Sequence, residues 1–336
     1  MRRAVAIGVL SAIIVGSSAA SPAFACGCGG VVAPAESSAV VSNERAIIHW
    51  DGDRETMEIM VDMASDALSA GIIVPTPTPA TVSQGDARLF ELIENVIVPT
   101  AHIRSDWWGL GYLMPETEPQ EPNAVKRVQV GPLEATTIAA ADAAALETWL
   151  AANQFVISKE LTKSLASYAE LGWSFTAIRL TRDEPIDGHV DPIRLTFNTE
   201  RLVYPMRLAR TEKEPQNVRL FVFDKQRTGV AKANMPTLEI EGSVSVAWAG
   251  ATHDRRLVAL GDYLTVFEIR YDDPAKQATS DLGFVYSMSE KDVRPETVHY
   301  RMVTLVGIPV GTLIVVWALI GLILALGHLV GRRRAR

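Results

Sequence analysis

Cysteine is nearly absent from this 336-residue chain: there are two, Cys26 and Cys28, one glycine apart in "AFACGCGG". So few thiols exclude a disulfide framework and a four-cysteine zinc motif. The local patterns that carry most recognisable chemistry are missing too. There is no H-E-x-x-H, no G-x-S-x-G, no phosphate-binding P-loop, no G-x-G-x-x-G and no N-x-Ser/Thr acceptor. Zincin proteases, nucleophile-elbow hydrolases, P-loop NTPases and dinucleotide enzymes are thus not expected, and no cofactor is implied.

Long apolar runs occur only at the two ends. Met1-Arg2-Arg3 is followed by apolar or small residues from Ala4 to Gly16, then by Ser17–Ser21, Pro22 and the A-x-A pattern Ala23-Phe24-Ala25. That order is a secretory signal, so residues 1–25 are expected to be removed, leaving Cys26 at the mature N-terminus. At the other end Val303–Leu326 runs without a charge, about 36 Å as a helix, enough to cross a hydrocarbon core of ~30 Å. Residues 303–326 are therefore expected to span a lipid bilayer. Arg332, Arg333, Arg334 and Arg336 follow, so residues 327–336 belong on the cytoplasmic side under the positive-inside bias. The expectation is a single-pass protein of the cell membrane, its residues 26–300 extracytoplasmic.

The chain between the signal and the basic tail, residues 26–326, holds all 39 acidic residues but 26 of the 32 Lys and Arg, a formal charge of −13. An acidic surface repels phosphate backbones, which argues against nucleic acid as a partner. Cys26 and Cys28, with no third thiol, can pair with each other or between molecules, be modified, or stay free. Export favours a disulfide, while the residues before Cys26 fit ordinary signal cleavage better than lipidation. A C-x-C metal site lacks a nearby His or Cys to complete it.

Two kinds of segment organise the exported part. Apolar alternation on either side of Asp51-Gly52 predicts a hairpin, and Ile72-Ile73-Val74 a strand running into the stiff "PTPTP" stretch. Leu89, Phe90, Ile93, Val96 and Ile97 have helical spacing. "PETEPQEP", Pro115–Pro122, reads as a solvated loop or a boundary between halves near 115–125. Asp142 and Ser158 can cap two helices, the second ended by Gly172. Beyond them the period becomes two, in Ile193–Phe197, Leu202–Leu208, Val244–Trp248 and Tyr263–Ile269. The fold class is α+β: mostly antiparallel sheet with a few packed helices, plus one C-terminal transmembrane helix.

"AIIHWDGDRETMEIMV", "GIIVPTPTP" followed by a helix, "ALETWLAANQFVIS", "LASYAELGWSFTAIRL" and "PIRLTFNTERLVYPMRLA" together resemble the bacterial DUF2330 family. The similarity covers about Cys26 to Arg210. It implies an exported protein with a C-terminal membrane anchor, and it supplies no catalytic residue.

Two groups stand out as candidates for chemistry. Asp187, His189 and Asp191 in "DGHVD" alternate and could converge as oxygen and imidazole metal ligands, although Asp-Gly there is also ordinary turn chemistry. His102 and Asp106 are four apart beside Trp107-Trp108, where the pair could orient a general base and the tryptophans, if exposed, would form a contact patch. The favoured function is a binding or interaction module at the cell envelope, with an envelope protein or ligand as partner. The alternative is an envelope hydrolase or metal-dependent enzyme built on Asp187, His189 and Asp191.

Overall fold

The computed structural model describes residues 26–110, 127–128, 134–139, 143–232 and 244–334. Residues 1–25, the 115–122 stretch and Asp142 lie outside them. Gly30–Pro34 forms β1. Ala39–Trp50 (β2) and Arg54–Ser65 (β3) form the hairpin expected around Asp51-Gly52. The turn is closed by the Asp51 amide donating to the Arg54 carbonyl at 3.0 Å, and Gly52 takes φ +113°, a region only glycine enters cheaply. Ser69–Thr76 (β4) carries Ile72-Ile73-Val74 onward through Pro75. There the missing amide is tolerated because β1 pairs with β4 only as far as Ile73. Thr81–Gln84 is β5. Ala87–Val96 is α1, whose first turn is capped by the Asp86 carboxylate accepting from the Arg88 amide. Thr100–Asp106 is β6.

Arg127–Val128 (β7) and Glu134–Ile138 (β8) lead into the helix pair Ala143–Ala152 (α2) and Lys159–Glu170 (α3), separated by Phe155–Val156 (β9). Ser158 caps α3 through the Leu161 amide, and Gly172, at φ +79°, follows its end as expected. Ser174–Thr181 (β10), Ile186–Val190 (β11) and Ile193–Asn198 (β12) follow. The long strand expected over Leu202–Leu208 is cut to Val203–Tyr204 (β13), and Arg207–Thr211 turns as a 3-10 helix. Pro205 brings no amide to a ladder, and the next two amides, of Met206 and Arg207, donate to the Asp281 carboxylate at 3.0 and 3.2 Å. The chain then forms Gln216–Asp224 (β14), Thr228–Lys232 (β15), Val244–Ala251 (β16), Arg255–Val258 (α4), Tyr263–Tyr271 (β17), Pro274–Gln277 (α5) and Leu282–Tyr286 (β18).

Two sheets lie face to face. A nine-stranded sheet runs β16-β17-β14-β2-β3-β11-β7, with β12 and β5 branching from β3; a five-stranded one runs β8-β10-β4-β1-β9. Pairing is antiparallel except β14 with β2 and β11 with β7. Strands from both sides of the 115–125 stretch share each sheet. The main core lies between the sheets, joining Val31, Ile72 and Ile178 to Ile48, Met57 and Leu220. The α2/α3 pair covers the outer face of the smaller sheet, where Leu150, Leu161, Leu165 and Tyr168 meet Ile73 and Phe175. On the outer face of the larger sheet, Leu89, Phe90 and Ile93 of α1 meet Ile47, Phe221 and Phe223. Strand β14 therefore has both faces buried, which accounts for its unbroken apolar run Leu220–Phe223.

The C-terminal elements leave this body. Glu296–Met302 (β19) pairs in parallel with β6. The membrane helix expected over 303–326 begins later, at Val310. Thr304–Leu305 (β20) and Ile308–Pro309 (β21) form a hairpin across Val306 and Gly307, both at positive φ, and only then does Val310–Arg334 (α6) start. The Val310 amide closes the hairpin onto the Val303 carbonyl at 3.0 Å, and the helix runs on through the arginines that were expected to lie in a separate tail.

Truncating the doubly buried strand should cost more than removing a cap. Phe221→Ala is expected to destabilise the domain by about 3–5 kcal/mol, and Ser158→Ala by about 1 kcal/mol, in urea unfolding of the detergent-solubilised chain. Equal losses would show that β14 is not the centre of the sheet.

Candidate functional site

The two cysteines are buried at the N-terminal end of the domain. Cys26 and Cys28 are free thiols, fully buried in the main core, their sulfurs 3.9 Å apart. The chain can fold there because residue 27 is glycine. A Cβ at Gly27 would lie 2.8 Å from Val218 Cγ2, 3.1 Å from Met206 Sδ and 3.2 Å from Glu44 Oε2. Glu44 faces inward because β2 is irregular. Ala39 and Val41 point into the core, a register shift between Val41 and Asn43 moves the alternation by one, and Glu44, Ala46 and Ile48 point inward instead.

The Glu44 carboxylate is 3 % exposed. It accepts the Cys28 amide at 3.1 Å (Oε1) and 3.3 Å (Oε2), and the Tyr204 hydroxyl donates a short hydrogen bond to Oε1. Burial raises the Glu44 carboxyl above its ordinary range, against the hydrogen bonds it accepts from Tyr204 and Cys28. Burial likewise pushes the Cys28 thiol well up. On Cys26 the hydrogen bond with Cys28 pulls the thiol down, but burial and the nearby Glu44 and Glu212 carboxylates leave it raised. Glu212, 3 % exposed and with Oε1 unpartnered, is held up to about 8, chiefly by burial and then by Glu214. Glu55 is a second fully buried acid, raised well above its usual range by burial, and it accepts the Val203 amide at 2.9 Å.

Asp187, His189 and Asp191 occupy β11 and the residue after it. Asp187 is exposed, and Asp191 is half-buried. His189 is engaged on both ring nitrogens: Nδ1 meets Asp62 Oδ1 of the facing strand, and Arg45 Nη2 lies 3.0 Å from Nε2. Burial first, and the Arg45 guanidinium second, lower the imidazole to about 4 despite the Asp62 carboxylate. At neutral pH it is thus a neutral ring donating from Nδ1 to Asp62 and accepting from Arg45, so its ring nitrogens are committed to structural partners. His102 and Asp106 both lie in β6. His102 Nε2 is 3.7 Å from Glu296 Oε2, while Asp106 Oδ1 caps the turn by accepting the amides of Trp108 and Gly109.

Trp107 and Trp108 are each about half exposed and sit at the start of α6. The Gly311 amide donates to the Trp107 carbonyl at 2.6 Å, and a Cβ at Gly311 would meet Trp108 Cε3 at 2.4 Å, so glycine is required where the loop crosses the helix. Among the described residues, the one group of three metal-capable side chains that comes together is Cys26, Cys28 and Glu44. No local pattern marks Glu44, Tyr204, Glu212 or Asp62 as partners, because each contact joins residues far apart in the chain.

His189 supplies a pH test. With a folded-state pKa below its unfolded value near 6.5, the unfolded chain takes up the proton first. The stability it contributes is complete above about 6.5 and is lost as pH falls toward about 4. Urea midpoints of the native chain should decline across that window, with His189→Gln showing a shallower decline. Identical pH profiles would refute the assignment.

No curated protein matches the chain. Among solved structures, the crystal structure of baculovirus P35 is similar at 10 % identity and a TM-score of 0.38, covering 79 % of this chain and 98 % of that one. Likeness at that level carries no argument. Residues 22–285 match the model of a family described as an uncharacterized protein conserved in bacteria (DUF2330), and the chain belongs to that family.

Proposed function

We propose that this is a single-pass envelope protein whose sheet domain is a binding module held against the outer face of the membrane by α6. The observation that carries the anchor is the chemical contrast between the two ends of that helix. It is long and apolar enough to cross a membrane, and its apolar stretch is not buried by the rest of the chain. It carries no Asp, Glu, Lys or Arg before Arg332, a rise of about 33 Å that matches a hydrocarbon core of ~30 Å. Where α6 meets the domain, Trp107, Trp108, Leu110, Leu305, Val306 and Ile308 are exposed together. Tryptophan and apolar residues at that level suit the interfacial layer of a bilayer, where an indole keeps its N–H wet and its ring greasy. The far end carries Arg332 and Arg333, the charge expected on the cytoplasmic side.

Binding is favoured over catalysis because the histidine that would act at each candidate group already faces a structural carboxylate, Asp62 for His189 and Glu296 for His102. His189 is held between Asp62 and Arg45, and Asp106 caps a turn. A domain of two packed sheets, tethered by one helix and acidic overall, suits presentation of a surface to a soluble or membrane-bound partner.

Topology is tested by labelling spheroplasts with a membrane-impermeant maleimide. Both native thiols are buried, so single introduced cysteines report cleanly. Lys163→Cys, on the exposed side of α3, should label in intact spheroplasts, and Arg333→Cys only after permeabilisation. The reverse pattern would sink the orientation, and labelling of both in intact spheroplasts would sink the anchor.

A further inference from the structure

We propose that Cys26, Cys28 and Glu44 form a binding site for one thiophilic d10 cation, Zn2+ or Cu(I). The proposal stands apart from the membrane anchor, because it concerns the domain interior alone.

The geometry is that of a shared ion. One donor atom from each of the three side chains lies within 4.8 Å of the others. Two thiolates on a tetrahedral zinc, each at about 2.3 Å, stand about 3.8 Å apart. The Cys26 and Cys28 sulfurs are separated by 3.9 Å, so one ion bridges them without backbone movement. Glu44 then supplies a third donor, and an open fourth position is left.

The donor chemistry is selective. Two thiolates prefer Zn2+ and Cu(I) over the hard cations Mg2+ and Ca2+, and a carboxylate is an accepted zinc ligand. The Met206 thioether packs beside Gly27, between the two cysteines, and adds a further soft atom at the edge of the site. The carboxylate is also pre-oriented. The Cys28 amide and the Tyr204 hydroxyl both donate to it, the kind of second layer that fixes a ligand's direction.

The charge balance points the same way. Two thiols, Glu44 and Glu212 converge in the core, and Glu212 keeps one buried oxygen without a hydrogen-bond partner. A bound cation would offset the cost of burying these groups once they have given up their protons. On binding, each thiol gives up its proton to solvent and each sulfur donates a lone pair to the ion, with no change of oxidation state. Because Cys26, Cys28 and Glu44 are all buried, the ion would have to enter before the segment carrying the two cysteines has packed down, so metal and folding are coupled.

The experiment uses the full chain in detergent, expressed and then incubated under reducing conditions with Zn2+ alone or Cu(I) alone, desalted against a weak chelator, and analysed for metal. About one equivalent of at least one ion is expected, with a raised melting temperature. Cys26→Ser and Cys28→Ser should lose the ion and Glu44→Gln should hold it more weakly, whereas His189→Gln should retain it. If the cysteine variants fail to fold, the native chain decides: a thiolate-to-cobalt charge-transfer band with Co2+, or a copper–thiolate absorption with Cu(I), supports the site, and the absence of both overturns it. No retained metal with either ion overturns it as well, whether the thiols are then counted as two free groups or the intact mass shows the 2 Da loss of a disulfide.

Discussion

The fold depends on buried carboxylates that fasten irregular segments onto the sheets. Glu44 on β2 takes the Cys28 amide and the Tyr204 hydroxyl; Glu55 on β3 takes the Val203 amide; Glu58 on β3 takes the Asp86 amide at 2.8 Å. Asp281 takes the Met206 and Arg207 amides and the Tyr168 hydroxyl. Each places an acceptor where a segment has left its ladder, and at Cys28, Val203 and Met206 the backbone donor would otherwise be buried without a partner. Leaving such a donor unmet costs about 1–3 kcal/mol, more than the net worth of an ordinary hydrogen bond, so these acids specify where the loops lie more than they add to stability. Their own burial is the opposing term, visible in the raised carboxyls of Glu44 and Glu55.

The same constraint explains why the thiol pair sits in the core. Segment 26–29 has no strand partner, and the Glu44 carboxylate replaces one for the Cys28 amide. The bulge in β2 that points Glu44 inward thereby creates both the loop's anchor and the third donor beside the two sulfurs. Structural and chemical roles coincide in one side chain. Asp281 works in the same way at the other edge of the core, where Arg207 pairs with it at 2.8 Å and stacks 4.1 Å over the Tyr168 ring.

Local order was legible in the sequence. The Asp51-Gly52 hairpin, the spacing of Leu89, Phe90 and Ile93, the Ser158 cap and the alternation in β12 and β17 each depend on residues a few positions apart, where pattern and physics coincide. Strand β14 was not legible, because burial on both faces erases the alternation that marks a strand. The 303–326 run hid a hairpin: composition alone joins Thr304–Pro309 to the helix, while Val306, Gly307 and Pro309 separate them. The site was the least legible. Cys26 and Cys28 drew notice by their rarity, but nothing near them in sequence announces Glu44, 16 residues away from Cys28, or Tyr204, 160 residues away from Glu44.

The central claim is that buried acids lock segments that belong to no ladder. Hydrogen exchange on the native chain tests it directly at the amides of Cys28, Val203 and Met206, which belong to buried residues. The account predicts protection approaching that of Leu220 and Phe221 in β14, since each amide opens only when the core does. Exchange at the speed of exposed loop amides, with β14 still protected, would contradict it.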